Sequence, residues 1–306
     1  MRAGNPTVVD AAVVAEAVGR AIPHLACELP CDVSRGIAAA RDAETAPLGR
    51  FALDQLVEND AIARADHVPI CQDTGTVWAS LEVGPDVFVP GDVFSLVDDA
   101  VAQAYRDARL RMSVVRDALF DRSNTQGNTP AFTEVTFSDE PGCARLHVML
   151  KGGGSDNASR EVMLTPGAGR AGVVEEVVRC VREKGPNACP PLVVGVGVGA
   201  TFDKVAALAK HALMRPVGDP APSEEAAAFE AELLEAVNAT GIGAGGLGGG
   251  ATAIAVHVAT APCHIAALPV AVNMGCSALR RTTIDLAPLL AERSESEAAG
   301  EGGDGR

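Results

Sequence analysis

The sequence predicts a mixed α and β fold, with helices packed around mixed sheet. Three observations predict it. Residues 8–22 space their apolar residues as an amphipathic helix does, and more helical pattern follows through 33–65. Short runs such as "AFTEVTF", "RLHVMLK" and "PLVVGVGVG" are rich in β-branched residues and have the length of strands. Helical and strand patterns also alternate along the chain without an internal repeat.

Taken in order, the first helix covers 8–22, and helical pattern continues through 33–65 with few breakers. A polar loop follows at 67–76. "LEVGPDVFVPGDVF" mixes β-branched residues with Gly and Pro, as strand and turn do. "VFSLVDDAVAQAYRDARLRMSVVRDAL" reads as one long helix ending near Leu119. Strands are expected at 131–137 and 145–151, the second beside or antiparallel to the first. "GVVEEVVRCVREKG" is a helix closed by Gly185, and "PLVVGVGVG" is a buried strand. The helix after it has Thr201 at its cap position, and a further helix has Ser223 at its own. Apolar strands are expected at 251–259 and 266–273. Residues 1–290 are expected to form one domain, with 291–306 a disordered polar tail.

Composition narrows the function. The chain carries 25 Lys and Arg against 40 Asp and Glu, a formal net charge of −15. That opposes nucleic-acid binding, which needs a basic footprint. It also means that an anionic substrate must meet cations placed locally. No run of about 18 uncharged apolar residues exists to span a membrane. Asp10 and Glu16 interrupt any apolar leader, so a cytoplasmic protein is expected. The eight cysteines include no C-x-x-C pair, and in a reducing compartment they are expected to be thiols or ligands. Cys27 and Cys31 read as structural.

Two glycine loops match the loose dinucleotide-binding pattern, "GVGVGA" at 195–200 and "GAGGLG" at 243–248. The first lacks the acidic strand end about 20 residues on, and the second follows a helix. Tight turns and close backbone approach account for these glycines equally well. "KGGGSDN" at 151–157 differs, because three successive glycine N–H groups flanked by Lys151 suit an anion nest or a wall against a cofactor.

Three cysteines sit beside Gly, Pro or compact polar residues: Cys71 in "PICQDTG", Cys189 in "NACPP" and Cys276 in "NMGCSALRR". Three thiolates can bind three irons of a [4Fe–4S] cluster and leave the fourth open to substrate as a Lewis acid. Packing in the core is the competing reading, and spacing alone does not separate the two.

Five ordered motifs decide between them. "PICQDTGT", "LRMSVVRDALFDRSNTQGNTPA", "KGGGSDN", "CPPLVVGVGVG" and "APCHIAALPVAVNMGCSA" resemble the N-terminal part of the class I iron–sulfur fumarase and tartrate dehydratase family, over roughly 10–285. The resemblance implies the fold of an iron–sulfur hydro-lyase α domain, an oxygen-sensitive [4Fe–4S] cluster and a small dicarboxylate substrate. It implies that Cys71, Cys189 and Cys276 are the cluster ligands, with Cys263 an alternative to Cys276. It implies that Gln72, Arg111 and Gly154 contact substrate, that Asp73 handles the proton of the departing or arriving hydroxyl, and that His264 contacts substrate.

The chain departs from the family in two places. Residues 241–249 read "GIGAGGLGG" where the family often has "GIGPMGLGG", a smaller and more flexible loop. Single-chain members also continue into a C-terminal domain bearing further arginines, a lysine and a catalytic threonine. This chain is therefore expected to be the α subunit of a two-subunit fumarate hydratase, partnered by a separate β subunit in a higher αβ oligomer. The close alternative is an L(+)-tartrate dehydratase α subunit. The alternative of another class is a non-catalytic scaffold or nucleotide-binding module.

Overall fold

The computed structural model describes residues 7–290; the expectation for the tail at 291–306 lies outside them. In chain order the elements are β1 (Thr7–Val8), α1 (Ala11–Cys27), α2 (Cys31–Ala43), α3 (Pro47–Asp66), β2 (Thr76–Val83), β3 (Val87–Phe88) and α4 (Val97–Asp107). There follow β4 (Phe132–Phe137), β5 (Ala144–Lys151), α5 (Gly153–Asn157), β6 (Arg160–Leu164), α6 (Gly169–Lys184), β7 (Leu192–Ala200) and α7 (Phe202–Ala212). The last are α8 (Glu224–Asn238), β8 (Ala253–Cys263), β9 (Leu268–Gly275) and β10 (Arg280–Asp285). The class is mixed α and β, as expected. The chain divides into two compact units, one made of segments up to 26, 72–150 and from 281, the other of 27–71 and 151–280. No helix among the described residues is long and apolar enough to cross a membrane.

The first unit is built on a four-stranded sheet of order β10-β5-β2-β4. Strands β2 and β4 run parallel, in register from Trp78↔Phe132 to Val83↔Phe137. So β4 and β5 are not neighbours, contrary to expectation; both flank β2. The long helix expected to reach Leu119 stops at Asp107. Arg109 adopts a left-handed backbone (φ 52°), and the amide of Leu110 turns back to the carbonyl of Tyr105 at 2.9 Å. Beyond it, 110–128 is held by loop bonds: Asn124 Nδ2 donates to Met112 O at 2.8 Å, and the Ser113 amide to Asn128 Oδ1 at 2.8 Å. The apolar spacing that resembled a helix there serves an ordered loop.

The second unit has a sheet of order β6-β9-β7-β8, with β7 parallel to β8 and antiparallel to β9. The alternation of "LVVGVGV" explains the layers. Leu192, Val194 and Val196 point into a core shared with Val177 and Val181 of α6 and Leu233 and Val237 of α8. The glycines between them face α7, where a Cβ on Gly195 would lie 2.2 Å from the carbonyl of Ala209, and one on Gly197 2.4 Å from that of Val205. These glycines let a helix lie directly on the strand. Ser223 caps α8 as expected, its Oγ accepting from the Ala226 amide at 3.2 Å. Thr201 occupies the cap position of α7, but its hydroxyl bonds Asp203 instead.

The helical run at 33–65 is divided between α2 and α3. Pro47 opens α3, a position where its missing N–H costs nothing. The break is fastened by Glu44, which accepts the amides of Thr45 and Ala46, both at 2.9 Å, and those of Gly250 and Ala251 at 2.8 and 3.1 Å. Strands β6 and β10 and the short α5 have no counterpart in the expectations.

Candidate active site

In the first unit, the loop 72–76 is pinned from several sides. The buried Tyr105 hydroxyl lies 3.0 Å from the carbonyls of both Thr74 and Gly75. Asn128 Nδ2 donates to the Gly75 carbonyl at 3.0 Å, and the buried Thr74 hydroxyl donates to the carbonyl of Arg111. That last bond ties "CQDTG" to "LRMS". Arg111 Nη1 then donates to Gln72 Oε1 at 3.3 Å, while Asp73 Oδ1 accepts the Gly75 amide at 3.0 Å. Gln72, Asp73 and Arg111 therefore form one polar group: a guanidinium, an amide and a carboxylate on an anchored loop. Such a set can clamp a carboxylate and exchange a proton with a neighbouring hydroxyl.

In the second unit, Cys71 ends the segment that follows α3. His67 closes that helix in the left-handed region (φ 52°), and Asn59 Nδ2 fixes the Ile70 carbonyl at 2.9 Å. Cys189 is also left-handed (φ 52°) and exposed. It lies between the turn at 185–188 and the cis Pro190–Pro191 bond that precedes β7. Cys276 is half-buried and directly follows β9. The Ser277 amide donates to the Cys189 carbonyl at 3.0 Å, so these two cysteines share one end of the sheet. The Gly245 amide donates to the Pro190 carbonyl at 2.8 Å and brings the 241–249 loop to the same turn.

The "KGGGSDN" stretch joins this group. A Cβ on Gly154 would meet the Asn187 carbonyl at 3.6 Å, beside Cys189. Lys151 turns its ammonium into the core rather than toward solvent. There Nζ donates to Ser155 Oγ and to the Met274 carbonyl, both at 2.9 Å, and lies 3.4 Å from Asp156 Oδ1. Burial pushes its pKa down, against the pull of Asp156 and Cys276. Burial also opposes ionisation of Asp156, but Lys151 and Lys210 hold that carboxyl below its usual range. Lys151 was visible in the sequence only as a flank of the glycines. An isolated lysine ending an apolar strand, "LHVMLK", is the signal for a buried cation.

His264 is placed apart from Cys189 and Cys276. β7 and β8 run side by side from Leu192↔Ala253 to Ala200↔Cys263, about 26 Å at ~3.3 Å per residue. β9 returns to bring Gly275 opposite Val193. His264 thus sits on the exposed loop that joins β8 to β9 at one end of the sheet, with Cys189 and Cys276 at the other. The Ala266 amide donates to His264 Nδ1 at 3.1 Å, which leaves the ring proton of the neutral form on Nε2. The neighbouring Cys263 thiol donates to the Ala267 carbonyl at 3.3 Å, within the same loop.

None of the eight cysteines takes part in a disulfide. Burial raises the pKa of Cys143 and of Cys180, which marks them as core thiols. A cavity of about 560 Å³ lies elsewhere on the second unit, lined by Ala39, Ala40, Glu44, Asn238 and Ile254 among others, and includes none of the predicted site residues.

The family model for fumarate hydratase (fumerase) matches residues 15–285. The chain belongs to the class I fumarate hydratase family. Its members are hydro-lyases, and this chain is one by that membership. Among similar curated proteins, the L(+)-tartrate dehydratase subunit alpha of Escherichia coli (strain K12) is 34% identical over 273 residues, 88% of this chain and 89% of its own. The protein of that name from Shigella boydii serotype 4 (strain Sb227) has the same identity and coverage. A chain of Methanocaldococcus jannaschii, named for the same subunit, is 34% identical over 275 residues, 88% of this chain and 95% of its own.

Enzymes of this family are generally iron–sulfur dependent. Among the described residues, no three His, Cys, Asp or Glu side chains converge as the ligands of a single ion would. A cubane cluster asks for something else: each thiolate takes its own iron, so the sulfurs surround a body rather than a point. Three thiols on one unit, with the Cys189 and Cys276 segments joined by the Ser277–Cys189 backbone bond and a buried ammonium held on the Met274 carbonyl, have the donor chemistry for that group.

Proposed function

We propose that this family member is the α subunit of a [4Fe–4S]-dependent fumarate hydratase that, with a separate β subunit, reversibly hydrates fumarate to L-malate. The observation that carries the reading is the meeting of the Cys189 and Cys276 segments at one end of the second unit's sheet. In this reading Cys71, Cys189 and Cys276 hold the cluster, and residues 1–290 act as one functional domain. When bound, the cluster supplies an iron with a vacant position, a Lewis acid for the substrate's carboxylate and hydroxyl. Arg111 clamps a substrate carboxylate with its planar fork, and Gln72 orients the same group through its amide. Asp73 takes or returns the proton of the hydroxyl that leaves or arrives. The Gly154 backbone lies against substrate. The base for the C3 proton comes from the β subunit, because Asp73 and His264 already have roles.

His264 stands a full strand length from the cysteine end of its own chain, so here it contacts substrate bound to a second copy, in a higher αβ oligomer. Its exposed neighbour Ile265 suits burial against that copy. Mixed oligomers of His264→Ala and Cys276→Ser copies regain activity on this account; mixtures that stay inactive contradict it. The absence of disulfides among the eight cysteines suits a reducing compartment, and we place the protein in the cytoplasm.

A second reading is L(+)-tartrate dehydratase, favoured by the names of the curated relatives. Both substrates are four-carbon dicarboxylates that lose water, and tartrate yields an enol that tautomerises to oxaloacetate. The αβ complex, purified without oxygen, decides the matter when offered L-malate and L(+)-tartrate in parallel. Fumarate absorbance from malate at the higher kcat/KM supports the first reading, and faster oxaloacetate release from tartrate replaces it with the second.

A further inference from the structure

We propose that Lys151 is the buried counter-charge of the Cys276 thiolate, a positioning residue that sets the charge balance of the iron–sulfur site. This rests on the cluster reading above and adds a residue to it. Lys151 is 2% exposed, the end of a strand whose neighbours are apolar. An ammonium has three N–H donors. Ser155 Oγ, the Met274 carbonyl and Asp156 Oδ1 present three acceptors to Nζ. Ser155 in turn donates to the Gly152 carbonyl at 3.0 Å, so its oxygen is oriented to accept from Lys151.

The position of this charge gives it a function. Met274 lies two residues before Cys276, and the Lys151–Met274 bond fastens the end of β9 to the glycine turn that carries Gly154. The bond to the Met274 carbonyl thus puts the ammonium two residues from Cys276 along the chain, buried in surroundings that screen charge far less than water does. Three thiolates and a dicarboxylate bring negative charge to a chain whose net charge is already −15. A solvent-screened surface lysine would offset little of this. A desolvated one beside a ligand offsets much more, and Asp156 on its other side tempers it.

The test uses the anaerobically purified αβ complex and reads the cluster's reduction midpoint potential by EPR-monitored titration, with iron per complex measured alongside. Lys151→Met keeps the length and loses the charge, so its potential moves negative. Asp156→Asn removes the opposing charge, so its potential moves positive. Lys151→Arg keeps the wild-type value. Opposite shifts at unchanged iron content are expected. If both variants load iron and keep the wild-type potential, or both move the same way, Lys151 is a packing residue and the proposal is overturned. Should Lys151→Met fail to fold, Asp156→Asn alone decides, since an unmoved potential there has the same consequence. A wild-type complex without iron overturns the function reading and this proposal with it, whereas a loaded complex with unmoved potentials overturns this proposal alone.

Discussion

The amide of Ser277 donates to the carbonyl of Cys189 at 3.0 Å, across 88 positions of sequence. One backbone bond thus holds two candidate ligands at the same end of a sheet. Neither side chain takes part, so both sulfurs keep their chemistry while their Cα positions are tied.

The cluster assignment predicts a sharp division among the eight cysteines. Single Ser replacements of Cys71, Cys189 or Cys276, prepared without oxygen, should lose most of the iron and all activity. Cys27, Cys31, Cys143, Cys180 and Cys263 should be dispensable for both. Iron analysis and the cluster's visible absorption check this. A fully loaded Cys276→Ser enzyme would transfer the third ligand to Cys263.

Arg111 is bonded to Gln72 at 3.3 Å and is the carboxylate clamp of the proposed function. Arg111→Ala should cost about 2–3 kcal/mol of transition-state binding, roughly 30- to 150-fold in kcat/KM. Lysine should rescue little, because it lacks the fork. Steady-state kinetics of the αβ complex measure this. Wild-type kcat/KM in Arg111→Ala would move the clamp to Arg109 or Arg116.

Much of this was legible in the sequence, and the rest was hidden for physical reasons. The alternation in "LVVGVGV" announced a strand, and its glycines needed no nucleotide to explain them. The five motifs marked Gln72 and Arg111, and Cys189 and Cys276, and the structure brings the first pair into a hydrogen bond and joins the segments of the second. Periodicity could not show that 110–119 is a loop, because apolar residues at helical spacing pack equally well under a chain held by Asn124 and Asn128. Nor could spacing reveal that His264 and Cys276, 12 positions apart, lie at opposite ends of a strand. Strand directions decide that, and sequence proximity suggests the reverse. Lys151 was hidden because lysine is so seldom buried that its ordinary reading is a surface charge.

Gly197 tests the packing of α7 on β7. Gly197→Ala places a methyl 2.4 Å from the Val205 carbonyl, a backbone atom that cannot swing away. Overpacking of this kind costs about 1–3 kcal/mol, so thermal unfolding of the variant should begin at lower temperature. An unchanged melting curve would mean that α7 does not sit on the strand.

Glu44 gives the fold a pH dependence of known sign. Burial works against its charge, but four backbone amides hold its pKa below the ordinary value. A carboxyl whose folded pKa is depressed stabilises the protein above its unfolded pKa, and that contribution is lost as pH falls through the folded value. Glu44→Gln should therefore lower stability near neutral pH by about 1–3 kcal/mol and flatten the acid limb of the stability curve. Denaturant titrations across the acid range measure both. An acid limb as steep as wild type in the variant would remove Glu44 from that role.

The central claim is that this chain carries a three-thiolate cluster but needs a β subunit to turn over its substrate. It is tested most directly by reconstituting the 306-residue chain with iron and sulfide under nitrogen. Hydratase activity is then followed by fumarate absorbance, without and with a co-expressed β subunit. The account predicts a loaded, iron-bearing chain with no turnover alone and full turnover in the complex. Full activity from the chain alone would contradict it.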